Sequence, residues 1–573
     1  MIIRPQFTSI ALALALVLAG CAARAPQPVP ALSAPIEINL VALNDFHGHL
    51  EASKFVYTSA RDGKETTIMA GGIDNLAAAL QAFRLEDKDL VLVGAGDLVG
   101  GTPAMSSMWA DEPSIVALSM LGMKFSSVGN HEFDLGRAEL LRKQHGGCQG
   151  EPGGKACKLA ADFRGAAFTY LGANVIDKVT GKPLLPAFSI EQVKGVKVAF
   201  IGAVLKNTPS VVLASSIEGL AFTDEADAIN AALVQARAQG ASVFVALIHE
   251  GGNTTEPFDQ ADCTELKGPV VGIAERLDPA IRLVISGHSH SGFQCKAGGR
   301  TITQAQMGGH VLSRIKLSID PASGSVRDVV VRNVAVRPGE YPADPKVAGY
   351  LAAVKAQSSA ALARPVARVA QRSTARRMND AGESALGNLV ADAVVEATRG
   401  QGVQVGFMNM GGLRSDFDVS ENLVATFGQA QAVLPFSNTL VVMDMTGAQL
   451  RAVLEQQWLR ASGRAMLQVS RSLYYQWDNA RPDGQRVVPG SVRINGAPLD
   501  DARTYKVVAN NFLAEGGDGY PAFRQAANKA DTRILDLEAL IGYLARNQPE
   551  AAGAAGAALA APALPSARIE RVN

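Results

Sequence analysis

Histidine, aspartate and asparagine residues follow five apolar runs of this sequence, at positions where they could bind metal. The chain contains eight histidines, and five of them lie in these groups. The groups are Asp45 with His47, Asp97, Asn130 with His131, His249, and His288 with His290. A lone histidine beside a strand is usually an ordinary polar residue. Five that occur together with two aspartates and an asparagine form a mixed nitrogen and oxygen set that suits Zn, Mn or Co.

The elements that must position these residues are the strands of an α/β domain. Six apolar runs have the composition of buried strands: Leu40–Leu43, Leu90–Val93, Phe125–Val128, Val196–Ile201, Val243–Ile248 and Leu283–Ile285. Helical patterns such as Ile73–Phe83 and Asp224–Gln239 separate some of them, which predicts an α/β fold. Ligands in open α/β sheets bind at the carboxyl ends of strands. We therefore expect the five groups to meet at one edge.

The number of candidate ligands exceeds what one metal ion needs. Two ions about 3.5–4 Å apart, bridged by a carboxylate, fit the set better. Glycines adjoin the candidate ligands and allow the backbone to turn sharply: Gly48, Gly96, Gly129 and Gly287. The sequence therefore predicts two divalent metal ions.

The order and spacing of these residues resemble the calcineurin-like metallophosphoesterases. The matching elements are Asp45-x-His47, Gly96-Asp97, Gly129-Asn130-His131-Glu132, His249 and Gly287-His288-x-His290. The GDxxGG run at Gly96–Gly101 and the GNHEFD run at Gly129–Asp134 narrow the resemblance to the 5′-nucleotidase and UDP-sugar hydrolase family. That family has a two-metal β-sandwich flanked by helices, a helical linker and a C-terminal α+β substrate-binding domain, so we expect this α/β architecture here.

The resemblance also implies roles for individual residues. One metal would be held by Asp45, His47 and His290, the other by Asn130, His249 and His288, with Asp97 as the bridge. His131 would stabilise the phosphoryl oxygens or the leaving group, and Asp134 would orient it. Taken alone, Asp134 is explained equally well as a helix N-cap. Glu132 is interpreted as a packing or cap residue. The reaction expected is in-line hydrolysis of a phosphoester without a phosphoenzyme.

Three loops in the second half of the chain combine aromatic, amide and charged residues. They are Asn409–Arg414, Leu434–Asn438 and Asn511–Tyr520. Aromatic residues are more often core, but two in loops of this composition are suited to sandwich a base and bind a ribose. The loops resemble the NxGGxR, PFxN and GGDGY elements of the same family's C-terminal domain.

By that resemblance Phe436 and Phe512 clamp the base, Asn438 hydrogen-bonds it, and Asp518 binds the ribose hydroxyls. Asn409 and Arg414 would line the same pocket, with Arg414 favouring an anionic substrate. Arg376 is a further candidate contact, since the family places arginines before its ExxxGN helix, here Glu383–Asn388. Asp380 occupies a position where that family often has another basic residue.

The N-terminus resembles a bacterial lipoprotein signal peptide over residues 1–21. Arg4 precedes an apolar run, Ile10–Ala19, and Leu18–Cys21 resembles a lipobox whose cysteine is lipidated. An ordinary signal peptide with an incidental Cys21 is the alternative. Ala22 follows the cysteine, as in outer-membrane lipoproteins. We expect export to the periplasm or cell surface, with membrane anchoring through Cys21.

Four further cysteines predict two disulfides in an exported chain. Three pairings are possible. Cys148 and Cys157 flank a glycine-rich stretch, which favours a local bond and leaves Cys263 to pair with Cys295. A cysteine-ligated metal is disfavoured because the sequence has no CxxC spacing.

Composition and breaks in patterning suggest the domain organisation. We expect an Ala/Pro-rich tether at 22–35, a catalytic domain at 36–337, a linker helix at 338–363, a nucleotide-binding domain at 364–547 and a mobile low-complexity tail at 548–573. Basic and acidic residues number 54 each and charged residues make up 19% of the chain. This balance argues against a nucleic-acid polymer as partner and against a chain disordered throughout.

The predicted activity is removal of phosphate from nucleoside 5′-monophosphates, with UDP-sugars and other nucleotides as further substrates. A 2′,3′-cyclic nucleotide 2′-phosphodiesterase with 3′-nucleotidase activity shares the same domains and is the alternative. An inactive nucleotide-binding lipoprotein is disfavoured because every expected ligand is present. The paired aromatics Phe436 and Phe512 argue against a thiosulfate-processing relative.

Overall fold

A computed structural model describes Met1 and residues 34–150, 154–459, 464–549 and 567–573. The predicted signal peptide, Cys21 and nearly all of the tether lie outside the described residues. None of the helices within the described ranges is long and apolar enough to span a membrane.

Sixteen strands lie in the N-terminal part of the described chain. They are β1 (Ile36–Leu43), β2 (Ser53–Thr58), β3 (Glu65–Ala70), β4 (Val91–Ala95), β5 (Met123–Ser127), β6 (Thr169–Leu171), β7 (Val175–Asp177), β8 (Phe188–Val193), β9 (Val196–Val204), β10 (Leu220–Phe222), β11 (Val243–His249), β12 (Ile281–Ser286), β13 (Gly292–Ala297), β14 (Arg300–Ala305), β15 (Val311–Ile319) and β16 (Val326–Ala335). All six apolar runs expected to be strands overlap one of these.

These strands form two six-stranded sheets and two small pairs. The first sheet has the order β16-β15-β1-β4-β5-β6, and the second has the order β13-β14-β12-β11-β9-β8. Within the first sheet β1, β4 and β5 run parallel, and within the second β9, β11 and β12 do so. The strands that precede the candidate ligands therefore come from both sheets, and their carboxyl ends lie at a shared edge.

The two sheets pack face to face and helices cover their outer faces. Leu40, Val93 and Phe125 of the first sheet share a buried cluster with Phe200 and Leu247 of the second. The helices are α1 (Ile73–Glu86), α2 (Ala104–Ser107), α3 (Glu112–Met120), α4 (Gly136–His145), α5 (Glu225–Ala238) and α6 (Pro269–Arg276). The result is the helix-flanked β-sandwich that the resemblance implied.

A single helix, α7 (Pro345–Leu362), joins this sandwich to the rest of the chain. It begins where the Asp344 side chain accepts hydrogen bonds from the N–H groups of Lys346 and Val347, and Pro345 occupies the first turn. The indole of Trp109, in the catalytic part, donates to Ser358 of α7 at 2.9 Å. The linker helix is thus attached to the sandwich by packing and by a hydrogen bond.

The C-terminal part is α+β, with a five-stranded sheet of order β23-β19-β27-β22-β28 and a four-stranded sheet of order β26-β25-β24-β29. Its strands are β17 (Pro365–Arg368), β18 (Ser373–Thr374), β19 (Val405–Asn409), β20 (Phe417–Asp418), β21 (Val424–Thr426), β22 (Thr439–Thr446), β23 (Leu467–Val469), β24 (Leu473–Trp477), β25 (Arg493–Ile494), β26 (Ala497–Pro498), β27 (Thr504–Asn510), β28 (Ala527–Leu535) and β29 (Ile569–Arg571). Its helices are α8 (Ala385–Ala397), α9 (Phe427–Val433), α10 (Gly447–Gln456), α11 (Asn511–Ala514), α12 (Pro521–Arg524) and α13 (Asp536–Arg546).

Both expected disulfides are present. Cys148 pairs with Cys157, and Cys263 pairs with Cys295. The first closes a local loop after α4, and the second joins the loop before α6 to β13.

The expectation of a mobile tail over 548–573 is wrong for its last residues. Ile569–Arg571 form β29, which pairs in parallel with β24. Ile569 is fully buried, and Arg568 is only 3% exposed. Ile569 and Arg568 pack and pair within the C-terminal domain. The sequence did not indicate this, because the composition of the tail is dominated by alanine.

Candidate functional site

The seven candidate metal ligands meet where strands of both sheets end. Ligand atoms of Asp45, His47, Asp97 and His290 lie within 4.8 Å of one another, and those of Asp97, His249 and His288 form a second such group. Asp97 belongs to both groups. Its Oδ2 lies 3.0 Å from Nε2 of His249 and 3.8 Å from Nε2 of His47. The geometry is that of two adjacent sites that share one carboxylate.

The backbone at this edge adopts conformations that side chains rarely tolerate. Five of the candidate ligands have positive φ: Asp45 (48°), His47 (44°), Asp97 (50°), His288 (73°) and His290 (54°). Non-glycine residues in this region cost energy and cluster at functional sites. The surrounding strands hold the loops that carry these residues in a strained conformation, and this conformation brings the side chains together.

Backbone carbonyls orient two of the histidines. Nδ1 of His47 donates to the carbonyl of Gly100 at 2.7 Å, and Nδ1 of His249 donates to that of Ala95 at 2.7 Å. Each ring therefore carries a proton on Nδ1 and directs Nε2 into the site. Nε2 of His47 lies 3.0 Å from Nε2 of His290, so both nitrogens point into the same space.

A further candidate ligand atom is left without a partner in the described structure. Oδ1 of Asn130 is buried and makes no hydrogen bond. An unsatisfied buried polar atom is costly, so such groups need an ion, a water or a strain explanation. Burial also lowers the pKa of His288 to about 3 and holds that of His47 well below its usual value. Burial lowers the pKa of His249 too, but the neighbouring Asp97 carboxylate outweighs it and raises that pKa to about 10. Imidazole nitrogens, carboxylates and an amide oxygen fit divalent cations, which bind the imidazole in its deprotonated form.

Glu132 organises the loops that carry these ligands. Its carboxylate accepts hydrogen bonds from the N–H groups of Asp97 (2.9 Å), Leu98 (2.8 Å) and Gly129 (2.5 Å). Burial, followed by the charge of Asp97, raises the pKa of Glu132 to about 7. The expectation of a packing or cap residue missed the main role of Glu132. Its hydrogen bonds connect the loop after β4 to the loop after β5.

His131 lies beside the ligand set without belonging to either group. Its Nδ1 lies 2.8 Å from Oδ2 of Asp134, and its backbone N–H donates to Oδ1 of Asp97 at 2.9 Å. Burial alone would lower the pKa of His131, but Asp134 and Asp97 outweigh it and raise that pKa. Asp134 accepts from the imidazole and does not cap a helix through its side chain. The pair can place a proton donor next to the candidate metal groups.

A cavity of ≈ 590 Å³ joins this centre to the C-terminal domain. Its lining includes Asp97, His131 and Asp134 from one domain. From the other come six of the seven predicted substrate contacts: Asn409, Arg414, Phe436, Asn438, Phe512 and Asp518. The seventh predicted contact, Arg376, is not among the lining residues of the described chain. Arg376 is half-buried, and its Nε has no hydrogen-bond partner among the described residues. The charge of Arg376 helps to lower the pKa of Arg414.

The loops of the C-terminal domain directly contact His131 and the candidate metal ligands. The Phe436 ring stacks on His131, with ring centroids 5.4 Å apart and planes 17° from parallel. Nη2 of Arg414 lies 3.3 Å from Nε2 of His47. Arg414 also lies over the Phe436 ring, its guanidinium carbon 5.5 Å from the centroid. A cation and an aromatic face thus line the cavity at the candidate metal centre.

The other predicted contacts are held by neighbours within their own domain. Nδ2 of Asn409 donates to Oδ2 of Asp518 at 2.7 Å, and Asp518 has a positive φ of 55°. The Phe512 ring covers Gly517, where a Cβ would come within 2.5 Å of a ring carbon. Only glycine fits beneath this ring, which explains the second glycine of the GGDGY element.

Sequence reasoning also missed Asp536. This residue is 1% exposed and begins α13, and its backbone N–H donates to the carbonyl of Asn438 at 2.9 Å. Burial raises the pKa of Asp536 to about 7, and a side-chain hydrogen bond from Asn438 opposes that rise. Asp536 could not be found from the sequence, because its partner Asn438 lies 98 residues earlier and the residues around Asp536 form no recognisable motif.

Comparisons with known proteins cover both halves of the chain. The calcineurin-like phosphoesterase family matches residues 38–292, and the 5′-nucleotidase C-terminal domain family matches residues 360–525. The chain is 30% identical over 544 residues to the cell wall protein Lmo0130 of Listeria monocytogenes, covering 90% of this chain and 68% of that protein. It is 28% identical over 511 residues to the endonuclease YhcR of Bacillus subtilis, covering 89% of this chain but only 40% of that protein.

A solved structure has the same two-domain fold. It is the 5′-nucleotidase precursor from Thermus thermophilus, with a TM-score of 0.73 and 27% sequence identity. The match covers 94% of this chain and 100% of the Thermus chain. The similarity therefore extends over both domains.

Proposed function

The chain belongs to the 5′-nucleotidase family of calcineurin-like metallophosphoesterases, and from this premise we propose that it removes the phosphate from nucleoside 5′-monophosphates. As a member of that family it is a metal-dependent hydrolase. The observation that carries the proposal is the shared cavity, in which Asp97 and His131 face the same space as Phe512 and Asp518. A phosphate at one end and a nucleoside at the other would occupy both sets of residues.

The six residues of the two groups, together with Asn130, would hold two divalent ions. Asp45, His47 and His290 would bind one ion, Asn130, His249 and His288 the other, and Asp97 both. When bound, such ions supply a deprotonated water near neutral pH and neutralise phosphate charge. The support for this assignment is the shared carboxylate, the Nε2 atoms of His47 and His249 that point into the site, and the partnerless Oδ1 of Asn130.

Residues around the ligands would act on the phosphoryl group directly. His131 would use Nε2, the ring nitrogen away from Asp134, to stabilise a phosphoryl oxygen or protonate the leaving ribose oxygen. Asp134 keeps the ring in that orientation through the 2.8 Å contact with Nδ1. Arg414 would bind the anionic group from the opposite domain, since a guanidinium pairs with phosphate oxygens in a forked geometry.

Aromatic and polar residues of the C-terminal domain would bind the nucleoside. Phe436 and Phe512 line the cavity and would stack on the base. Asn438 would hydrogen-bond the base, while Asp518, held by Asn409, would accept from the ribose hydroxyls.

Export of the chain is part of the proposal. The signal-peptide pattern at 1–21 supports it, and so do the two disulfides, which persist in oxidising compartments. We propose periplasmic or cell-surface placement with a lipid on Cys21. Mass spectrometry of the mature N-terminus should find a diacylated or triacylated cysteine, whereas an unmodified first residue would contradict the anchor.

A substrate comparison tests the proposed specificity. AMP, UMP, UDP-glucose and 2′,3′-cyclic AMP should be offered to the same metal-loaded preparation, with phosphate release as the readout. We expect the 5′-monophosphates to have the highest kcat/KM, and Arg414→Ala to lower it by roughly 10- to 150-fold, as expected for loss of a hydrogen bond to a charged group. Faster turnover of the cyclic nucleotide would contradict the proposed specificity while retaining the phosphoesterase chemistry.

A further inference from the structure

The last seven residues of the chain, 567–573, form a segment that we call the C-terminal arm. Its strand β29 adds to the four-stranded sheet, where Ile569 pairs with Tyr475 and Arg571 with Trp477. Hydrogen bonds from Tyr475 N–H to the Arg568 carbonyl and from Val572 N–H to the Trp477 carbonyl, both 3.0 Å, complete the pairing. The arm is therefore an integral part of the C-terminal domain.

Arg568 anchors the arm through a buried ion pair. Its Nη1 donates to Oδ1 of Asp392 at 3.0 Å, and its Nη2 donates to Oδ2 of the same carboxylate at 2.9 Å. Arg568 is 3% exposed and Asp392, on α8, is 7% exposed. Arginine in such a two-pronged contact fixes geometry because its planar fork matches the carboxylate.

The same arginine holds the strand that leads into the substrate cavity. Nη1 of Arg568 also donates to the carbonyl of Val469 at 2.7 Å, at the end of β23. The residues that precede Val469 and line the cavity are Leu467, Met466 and Ala465. A displacement of β23 would therefore move one wall of the cavity.

The arm also holds the loop that carries Arg376. The Arg568 backbone N–H donates to both carboxylate oxygens of Glu383, each at 3.2 Å. The Glu383 N–H in turn donates to Oδ1 of Asn379 at 2.9 Å. Trp477, which pairs with the arm, donates from its indole to the carbonyl of Ala381 at 2.9 Å. The arm thus contacts residues 379–383 directly through Glu383, and indirectly through Trp477, which pairs with the arm.

We propose that the C-terminal arm is a positioning element for nucleotide binding, acting through Val469 and Glu383. Without the Arg568 side chain, the carbonyl of Val469 loses its guanidinium donor and Asp392 keeps only Arg471, whose side chain is 59% exposed. The backbone N–H that binds Glu383 remains, but it loses the buried ion pair that fixes its position. This inference rests on the proposed function, because the wall and loop it positions belong to the proposed nucleotide site. The candidate metal ligands all lie in the other domain, so the arm acts on the nucleotide site alone.

The test compares Arg568→Ala with Arg471→Ala. Arg471 pairs with the same carboxylate, Nε to Oδ2 at 3.0 Å, but its side chain contacts neither Val469 nor Glu383 among the described contacts. For Arg568→Ala we expect the KM for AMP to rise by roughly ten- to a hundred-fold, the scale on which misplaced binding groups cost activity. The kcat for AMP and the hydrolysis of p-nitrophenyl phosphate should change less than about twofold, and Arg471→Ala should behave like the parent.

Hydrogen exchange measured by mass spectrometry gives a readout that does not depend on substrate. In Arg568→Ala the segments 376–383 and 465–469 should exchange faster, while peptides of the catalytic domain stay unchanged. If the alanine variant does not fold, Arg568→Lys replaces it in the exchange and kinetic measurements. A lysine can pair with Asp392 but cannot also hold Val469 as the guanidinium does, so it should show a smaller shift of the same kind.

Two results would overturn the arm's role. One is an unchanged KM for AMP together with unchanged exchange in both segments. The other is an equal loss of AMP and p-nitrophenyl phosphate hydrolysis, which would mean a general structural defect. A parent protein that does not hydrolyse nucleotides would instead count against the proposed function, and the exchange measurement would still decide the arm.

Discussion

Nη2 of Arg414 lies 3.3 Å from Nε2 of His47, although the two residues are 367 positions apart and belong to different domains. The contact brings a cation of the substrate-binding domain to the edge of the candidate metal centre. Arg414 is half-buried there, and desolvation followed by the charge of Arg376 lowers its pKa from the usual value. A phosphate group bound between His131 and Asp97 would therefore meet groups from both domains, which links substrate capture to chemistry.

The His131–Asp134 pair should be required for turnover and dispensable for metal binding. His131→Ala should lower kcat for AMP by about 10²–10⁴-fold, the usual contribution of a positioned acid or base. Asp134→Asn should cost less, because the ring remains while its orientation weakens. Metal content, measured by inductively coupled plasma mass spectrometry, should match the parent in both variants. Loss of metal from His131→Ala would show that this residue is a ligand.

Glu132 should control metal affinity without contacting the metals. Glu132→Gln replaces an acceptor-only carboxylate with an amide that can accept fewer of the N–H groups of Asp97, Leu98 and Gly129. Metal affinity should fall roughly 10–100-fold, as for other residues that orient ligands. Titration of the metal-depleted protein with Mn or Zn measures this.

A matched control for this variant is Glu225→Gln. Glu225 is a buried acid on α5 that lies outside both ligand groups, and its carboxylate accepts a hydrogen bond from the N–H of Lys206. The control should bind metal like the parent. Equal affinities for the two variants would contradict the role assigned to Glu132.

Phe512 should contribute to nucleoside binding and not to phosphate chemistry. Base stacking is worth about 1–3 kcal/mol, so Phe512→Ala should raise the KM for AMP by roughly 5- to 150-fold. Hydrolysis of p-nitrophenyl phosphate should stay near the parent rate. Phe512→Tyr keeps the ring and should restore most of the affinity. If Phe512→Ala slowed both substrates alike, the ring would be acting through the fold of the loop.

Asp536 should make the protein less stable as the pH rises. Burial raises the pKa of Asp536 from 3.8 to about 7, so the folded state binds this proton more tightly than the unfolded state does. Its contribution to the free energy of unfolding therefore falls between about pH 4 and pH 7 and stays low above that window. The loss is about 4 kcal/mol at most, since each pKa unit corresponds to ~1.36 kcal/mol.

Urea unfolding at pH 5 and pH 8 tests this behaviour. Asp536→Asn keeps the hydrogen-bonding shape but cannot ionise, so its stability relative to the parent should increase from pH 5 to pH 8. Asp531→Asn, at an exposed carboxylate of the neighbouring strand, is the matched control and should show no such increase. The same pH dependence in Asp536→Asn and the parent would contradict the prediction.

The sequence predicts that the candidate ligand side chains lie close together because the signal is local. Asp45, Asp97 and His288 each follow an apolar run within a few residues, and strands of this kind end at a common edge. The strand pattern alone does not show that these strands belong to two packed sheets, since alternation of strands and helices does not determine which strands pair; the sandwich was implied only by the family resemblance. Both sheets are nevertheless needed to bring Asp97 next to His249.

The residues that were missed act through distant partners. Glu132 binds N–H groups 34 and 35 positions away, and no pattern around Glu132 reveals them. Arg568 pairs with Asp392 across 176 positions, after a run dominated by alanine and glycine. The low-complexity composition of 548–573 therefore hides the few residues at its end that have tertiary partners.

The most direct test of the account is metal-dependent hydrolysis of AMP by chelated and reconstituted protein. The account predicts that the chelated protein is inactive, and that activity returns with Mn, Co or Zn as the bound metal approaches two ions per chain. It further predicts that His131→Ala binds the same two ions but does not regain activity. Full AMP hydrolysis by the metal-depleted protein, or reconstitution that restores no nucleotide hydrolysis, would contradict the assignment of a two-metal 5′-nucleotidase.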